Sequence, residues 1–202
     1  MPFPPSSCLA ELREIPLDSL RVGADCLTRL QELGVGLGLS HQLTAGACGL
    51  SAEGDIKAIH VLQVQVRGQE DWADAAMAEM AQSLSALHGL FIVNCGGKKR
   101  WAIYHQKRWF QSEWLLPDTQ PLSLPGVASL DELKETWVSQ LGQIEIEAEE
   151  TLDTQIEKNA SKARLAKRIE QLERKTRKEI QPRKQWKLLE ELAKLRRQYQ
   201  QL

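Results

Sequence analysis

The residue types that could do chemistry in this chain are scattered, and their spacing limits what they could do together. Asp55 followed by Gln65-Val66-Arg67 is a faint echo of the set that metal-dependent nucleases of the restriction type use, an aspartate and then acid-or-glutamine, spacer and lysine on the next strand. Glutamine supplies no anionic ligand to a hard cation, and arginine does not release a proton as lysine can, so the chain is expected not to be an active enzyme. "NCGGKKR" sets glycines beside cations but lacks the order GxxxxGK[ST], and no helix is expected after it to present amide groups to a phosphate. It reads as a β-turn at Gly96 and Gly97, with Lys98, Lys99 and Arg100 left as a secondary anion-binding spot. Cys8, Cys26, Cys48 and Cys95 contain no CxxC pair, and His41, His60, His88 and His105 are equally dispersed. A metal needs three or four converging ligands, so the cysteines read as reduced packing residues, and neither a metal nor a cofactor is expected. Spacing alone assembles no Ser-His-Asp or Cys-His set.

Binding chemistry is better represented. Trp101, Tyr104, Trp109, Phe110 and Trp114 stand beside Arg100, Lys107 and Arg108, a combination that admits a stacking surface for unpaired bases, although core packing is the default for most of it. On "RWAIYHQKR" the two-residue period puts Trp101, Ile103 and His105 on one face and Ala102, Tyr104 and Gln106 on the other, so one set is expected in the core. Charge is also divided. Residues 153–202 carry fifteen Lys/Arg against seven Asp/Glu, a local net charge of +8 in a chain whose formal total is −1, which leaves −9 for the remainder. Such asymmetry suggests a polyanionic or acidic partner for the basic part, or docking on the chain's own acidic part.

The elements that must position these groups can be read from periodicity. At 202 residues the chain has room for one sizeable core and an appendage, and 42% hydrophobic with 26% charged residues is too apolar for wholesale disorder. No run approaches the roughly 18 apolar residues of a membrane span, and the opening residues lack a basic segment followed by an apolar one, so a cytoplasmic protein with no membrane partner is expected. Pro2, Pro4 and Pro5 place the start of the chain over the surface. Cys26, Leu27, Leu30 and Leu33 make one stripe of a helix over 24–33, with Gly34 as its stop. The glycine-rich stretch after it suggests turns and an irregular strand over 43–50. "IKAIHVLQVQVRG" is the clearest strand, and "DWADAAMAEMAQSLSALHG" a helix through Trp72, Ala76, Met80, Leu84 and Leu87. "LFIVN", "RWAIYHQKR" and "WFQSEWLL" follow as strands, giving β-α-β-β-β: an α+β fold with a mixed β-sheet and a helix packed on one face. After "TQPLSLPGVA", Ser129 and Glu132 form a capping-box pattern for a helix that closes a domain over 1–150.

Residues 151–202 are expected as a C-terminal coiled-coil helical hairpin. Leu165, Ile169, Leu172 and Thr176 form one a/d seam; Leu188, Leu192, Leu195, Tyr199 and Leu202 form another, and the phase breaks between them at Pro182. Proline inside a helix costs roughly 3 kcal/mol or more, so the chain either turns back near Glu179 to Arg183 or kinks there. The hairpin is the expectation, because each apolar stripe is too narrow to stand alone. Its tip then gathers Arg168, Arg174, Lys175, Arg177, Lys178, Arg183, Lys184 and Lys187. Solvation of a coiled coil, helped by pairs such as Glu170 with Arg174, is the plain alternative; a phosphate backbone or an acidic groove is the functional one.

In order and spacing, "IHVLQVQVRG", "LFIVN", "KRWAIYHQKR", "WFQSEW", "LDELKETWVSQL" and "LERKTRKEIQPRKQWKLLEELAKLRRQ" together resemble the bacterial DUF4391 family, over about Ala24 to the end. The chain departs from it where Gln63, Gln65 and Arg67 stand in a central strand that is usually more charged, and where Pro182, Arg183 and Lys184 replace an asparagine-arginine-lysine tip. Members tend to be encoded beside helicase-like ATPases and DNA methyltransferases. The resemblance therefore implies a non-catalytic accessory subunit of a DNA-processing or antiphage-defence complex, docked on a larger helicase-like ATPase, with the arm contacting partner or DNA. A degenerate metal-dependent nuclease and a self-assembling, homo-oligomeric coiled-coil adaptor are the alternatives.

Overall fold

Alternating branched residues in "AIHVLQVQV" make the strand around which the first part of the chain is built. The computed structural model describes residues 3, 8–20, 23–84, 87–119, 122, 126–146 and 150–201, with the side chains of 8–11 and 82–84 outside that description. The chain divides into two units, Met1–Ile144 and Glu145–Leu202. The first contains β1 (Cys8–Glu14), α1 (Ala24–Glu32), β2 (Gly36–Thr44), α2 (Ala45–Cys48), β3 (Ala58–Val66), α3 (Glu70–Leu84), β4 (Gly89–Cys95), β5 (Lys98–His105), β6 (Arg108–Gln111) and α4 (Leu130–Gly142). The second contains α5 (Leu152–Lys178) and α6 (Pro182–Gln200). No helix among the described residues is long and apolar enough to cross a membrane.

The six strands lie in sequence order in one mixed sheet. Neighbours are antiparallel except β3 and β4, which run parallel because α3 carries the chain back across the sheet. The fold is α+β. Both faces of the sheet carry buried residues. Leu62, Val64, Phe91, Val93 and Ala102 pack with Ala73, Ala76, Met77 and Met80 of α3 in one cluster. On the opposite period, Trp101 and Ile103 are buried, as are Leu133 and Trp137 of α4, and Phe3 joins them with ring centroids 5.9 Å from Trp101 and 6.0 Å from Trp137. The expectation of a helix on one face, and of one buried set on β5, is therefore corrected: a strand with α3 on one side and α4 on the other buries both its periods.

Local chemistry explains the ends of the elements. Ser129 caps α4 by accepting from the Glu132 amide at 3.2 Å, and the Glu132 carboxylate reaches back to the Ala128 amide at 2.7 Å, one residue further out than the usual reciprocal bond. Gly96 and Gly97, at φ 57° and 77°, form the two-residue turn between β4 and β5, as the sequence predicts. Three expectations are revised. The irregular strand expected over 43–50 lies earlier, as β2 from Gly36 to Thr44 with a register shift between Leu39 and His41, and is followed by one turn of helix. Its glycines are strand residues, and a Cβ on Gly38 would come within 2.9 Å of Leu12 on β1, a strand the sequence did not announce. The strand expected across "RWAIYHQKR" is cut by a turn at Gln106 and Lys107, both left-handed at φ 46° and 61°. "WFQSEWLL" continues only to Gln111, after which Leu115 makes an isolated bridge to Lys99. Leu84, although within α3, has its side chain outside the described part, and Pro2, Pro4, Pro5 and Leu202 lie outside the described residues.

Two predictions follow from these strained or buried positions. L-residues in the left-handed region are disfavoured by roughly 1–2 kcal/mol, and Asn-Gly suits this turn. The double change Gln106→Asn, Lys107→Gly should therefore stabilise the chain by about 0.5–1 kcal/mol after the flexibility cost of glycine, read from the midpoint of urea unfolding. His41 and His60 both titrate below the ordinary histidine value of 6.5 because burial disfavours the imidazolium, and His60 Nδ1 has no hydrogen-bond partner among the described residues. Unfolded chains take up those protons first, so stability is fully present above pH 6.5 and falls as pH drops toward the lowered folded values. Thermal melts between pH 7.5 and 5.5 should show this decline, and His41→Gln or His60→Gln should flatten it.

Candidate nucleic-acid or partner interface

The second unit has little apolar residue to spend on a core: Leu152 and Ile156 are buried at the start of α5, and a separate stripe further along is shared by the two helices. Thr151 caps α5, its hydroxyl accepting from the Thr154 amide at 3.3 Å. The helix ends at Lys178, and α6 restarts with Pro182 at its first position, where a missing amide costs nothing. The two helices pack on each other. Leu172, Thr176 and Leu192 are buried and Leu165, Ile169, Leu188 and Leu195 half-buried, while Tyr199 at the far end is exposed. Arg168 pairs with Glu191 at 3.4 Å, Glu173 with Arg196 at 2.7 Å, and Gln185 Nε2 donates to the Thr176 carbonyl at 3.4 Å beside the turn. The chain turns back between Glu179 and Gln181, so the break is a hairpin and not a kink.

The eight cations expected at the tip divide into two groups. Arg168 is held by Glu191, and Arg174 by Glu170 at 2.5 Å. Lys175, Arg177, Lys178, Arg183, Lys184 and Lys187 are all exposed and make no ion pair among the described residues. Their settings differ. Lys175, Arg177 and Lys178 occupy the last turn of α5, where the negative end of the helix dipole favours cations. Arg183 and Lys184 stand in the first turn of α6, which contains no acid and has no side-chain cap, so the dipole there opposes them.

The other sequence candidates are already engaged. Lys98, Lys99 and Arg100 lie on β5, where Lys98 pairs with Glu70 at 2.7 Å and Arg100 with Asp74 at 2.6 Å. Arg100 also lies 4.2 Å from the Trp114 ring and Lys99 5.9 Å from Trp101, so little of this charge is uncommitted. The aromatic run is packing: Trp101 is buried, and Trp109 meets Phe91 and Tyr104 at 5.0 Å while its indole N–H donates to the Met77 carbonyl. The aromatic that sequence reasoning passed over is Trp186, 72% exposed in the second turn of α6, with Ile180 in the turn 92% exposed. The signal was present: Trp186 falls off the Leu188–Leu192–Leu195 seam and sits among lysines and arginines.

Within the first unit, a cleft of about 640 Å³ is lined by Leu12, Glu14, Ile15, Gln63, Gln65 and Asn94, among others. Asn94 Nδ2 donates to Gln63 Oε1 at 3.0 Å, and among the described residues Glu14 is the single ionisable one in the lining, so no pair of acids faces a substrate there among them. Asp55 precedes β3 whereas Gln65 and Arg67 lie at its other end, so the faint nuclease pattern does not converge. Among the described residues no group of three or more His, Cys, Asp and Glu could hold a metal ion. Cys26, Cys48 and Cys95 are free thiols, and burial pushes each above its ordinary value; the side chain of Cys8 lies outside the described part.

Comparison with known proteins gives one family. No curated protein and no solved structure matches the chain. The model of a domain of unknown function, DUF4391, matches residues 36–199, from β2 to the end of α6 and therefore across the sheet, α4 and the hairpin. The chain belongs to the DUF4391 family.

Proposed function

We propose that the chain is a non-catalytic accessory subunit of a bacterial DNA-processing or antiphage-defence complex. It docks on a larger helicase-type ATPase, and the basic tip of its hairpin contacts DNA or an acidic surface of that partner. The reading rests on where the charge stands. Cations that serve only solubility gather where they cost nothing, yet Arg183 and Lys184 occupy the end of α6 at which the helix dipole repels them. With Lys187 and the three cations that close α5, they form a cluster of six that makes no ion pair among the described residues; the one carboxylate within it, Glu179, accepts from the Gln181 amide at 2.9 Å. A phosphate backbone offsets that penalty through counterion release, which a neutral surface cannot do.

At this end of α6, stability and binding are expected to move in opposite directions when the charge is reversed. Arg183→Glu with Lys184→Glu should stabilise α6 by about 0.3–1 kcal/mol per residue, read by hydrogen exchange of its amides. The same variant should lose DNA binding, and wild-type affinity should drop on the order of a thousandfold between 50 and 200 mM salt if six phosphates are contacted. A variant that binds both DNA and the helicase-type partner as the wild type does would remove this reading.

A further inference from the structure

A tryptophan and an isoleucine are the wrong residues for a surface that meets water or phosphate alone. Ile180 is 92% exposed in the turn, Trp186 is 72% exposed, and Leu189, one helical step further on the same side, is 46% exposed. Among the chain's six tryptophans, Trp101 and Trp137 are buried and Trp109 and Trp114 half-buried, while Trp72, 45% exposed, lies against the backbone of Gly68. No ring packs on Trp186 and no cation covers it among the described residues, and 72% of the residue is exposed. Arg183 precedes it by one helical step and Lys187 follows it directly, on a helix whose first turn is already positive.

We propose that the tip recognises nucleic acid at unpaired bases: Trp186 stacks on an exposed base, Ile180 at the apex abuts the next one, and the six unpaired cations follow the phosphates. The inference rests on the basic-tip reading and gives it a substrate class, single-stranded or forked nucleic acid. Charge selects this occupant over the others. A second copy of the same tip would bring like charges together, and the paired bases of a duplex offer no open face to an indole. Unpaired bases combine the two features that the tip offers together, an aromatic face and a string of negative charge. Trp186, which touches the base, sets the preference for unpaired strands, whereas the cations set overall affinity and its dependence on salt.

The test uses the full chain and fluorescein-labelled DNA of one length as single strand, fork and blunt duplex, followed by anisotropy. The wild type should bind the single strand and the fork more tightly than the duplex. Trp186→Ala should weaken binding to the first two by roughly 5- to 150-fold, leave the duplex and the slope against salt unchanged, and be partly rescued by Trp186→Phe. Equal affinity for all three DNAs, or a Trp186→Ala chain that keeps the wild-type preference, overturns the stacking proposal and leaves the basic-tip reading standing. Failure of the wild-type chain to bind any nucleic acid at low salt overturns both. So does binding to anionic phosphatidylserine vesicles in place of DNA.

Discussion

Proline at position 182 is the constraint on which the second unit depends. Its ring would clash with the carbonyl of Lys178, and it has no amide to donate, so α5 cannot run through it; at the first position of a new helix neither defect matters. In one uninterrupted helix, Lys175 and Lys187 would stand about 18 Å apart, at 1.5 Å per residue, with the cations between them spread around the whole circumference. Turning the chain back joins the end of one helix to the start of the next, and both ends are basic. The same turn lifts Ile180 out of any seam, because the residues that link two packed helices have no partner helix opposite them.

The two units handle charge differently, and the contrast carries the functional argument. In the first, cations on the sheet are matched locally, Lys98 with Glu70 and Arg100 with Asp74, and such partly exposed pairs contribute only about 0–1 kcal/mol. Their effect is to leave β5 with little field of its own. Along the shafts of the hairpin the pattern repeats, with Arg168, Arg174, Lys194 and Arg196 each beside a glutamate. Lys162, Arg164, Lys167 and Arg197 on the shafts make no ion pair among the described residues either, so what sets the tip apart is that six such cations gather at one turn. A sequence selected only for a soluble hairpin would place an acid in the first turn of α6, where the dipole rewards one.

How much of this was legible in the residues depended on whether one physical rule acted alone. Period-two alternation over 58–66 and the Ser129–Glu132 cap were readable because each is a local signal that tertiary packing reinforces. Gly36 and Gly38 misled, since glycine usually marks a turn, and here a close approach of Leu12 requires it inside a strand. The turn at Gln106 and Lys107 carried no glycine or asparagine to announce it, and β1 showed no clear alternation. At the site, the cations were legible as a count, but which of them lack partners depends on the glutamates that the fold-back brings across. Trp186 was hidden by a reasonable preference for clustered aromatics, which in this chain are clustered because they pack against α3 and α4.

Two kinds of residue at one tip imply two ranges of attraction. The cations act over a Debye length, about 10 Å at 0.1 M salt, and they draw in any polyanion regardless of strand or sequence. An indole acts only at contact, through stacking and water exclusion that salt hardly alters. On the proposed reading, the first would bring a nucleic acid to the tip and the second would sort what has arrived by whether a base is free to stack. A subunit working beside an enzyme that separates strands would need that order of events, since duplex is the abundant polyanion and unpaired strand the product. On that reading no pocket is needed, because the cations and the discriminating side chain share the same turn of the hairpin.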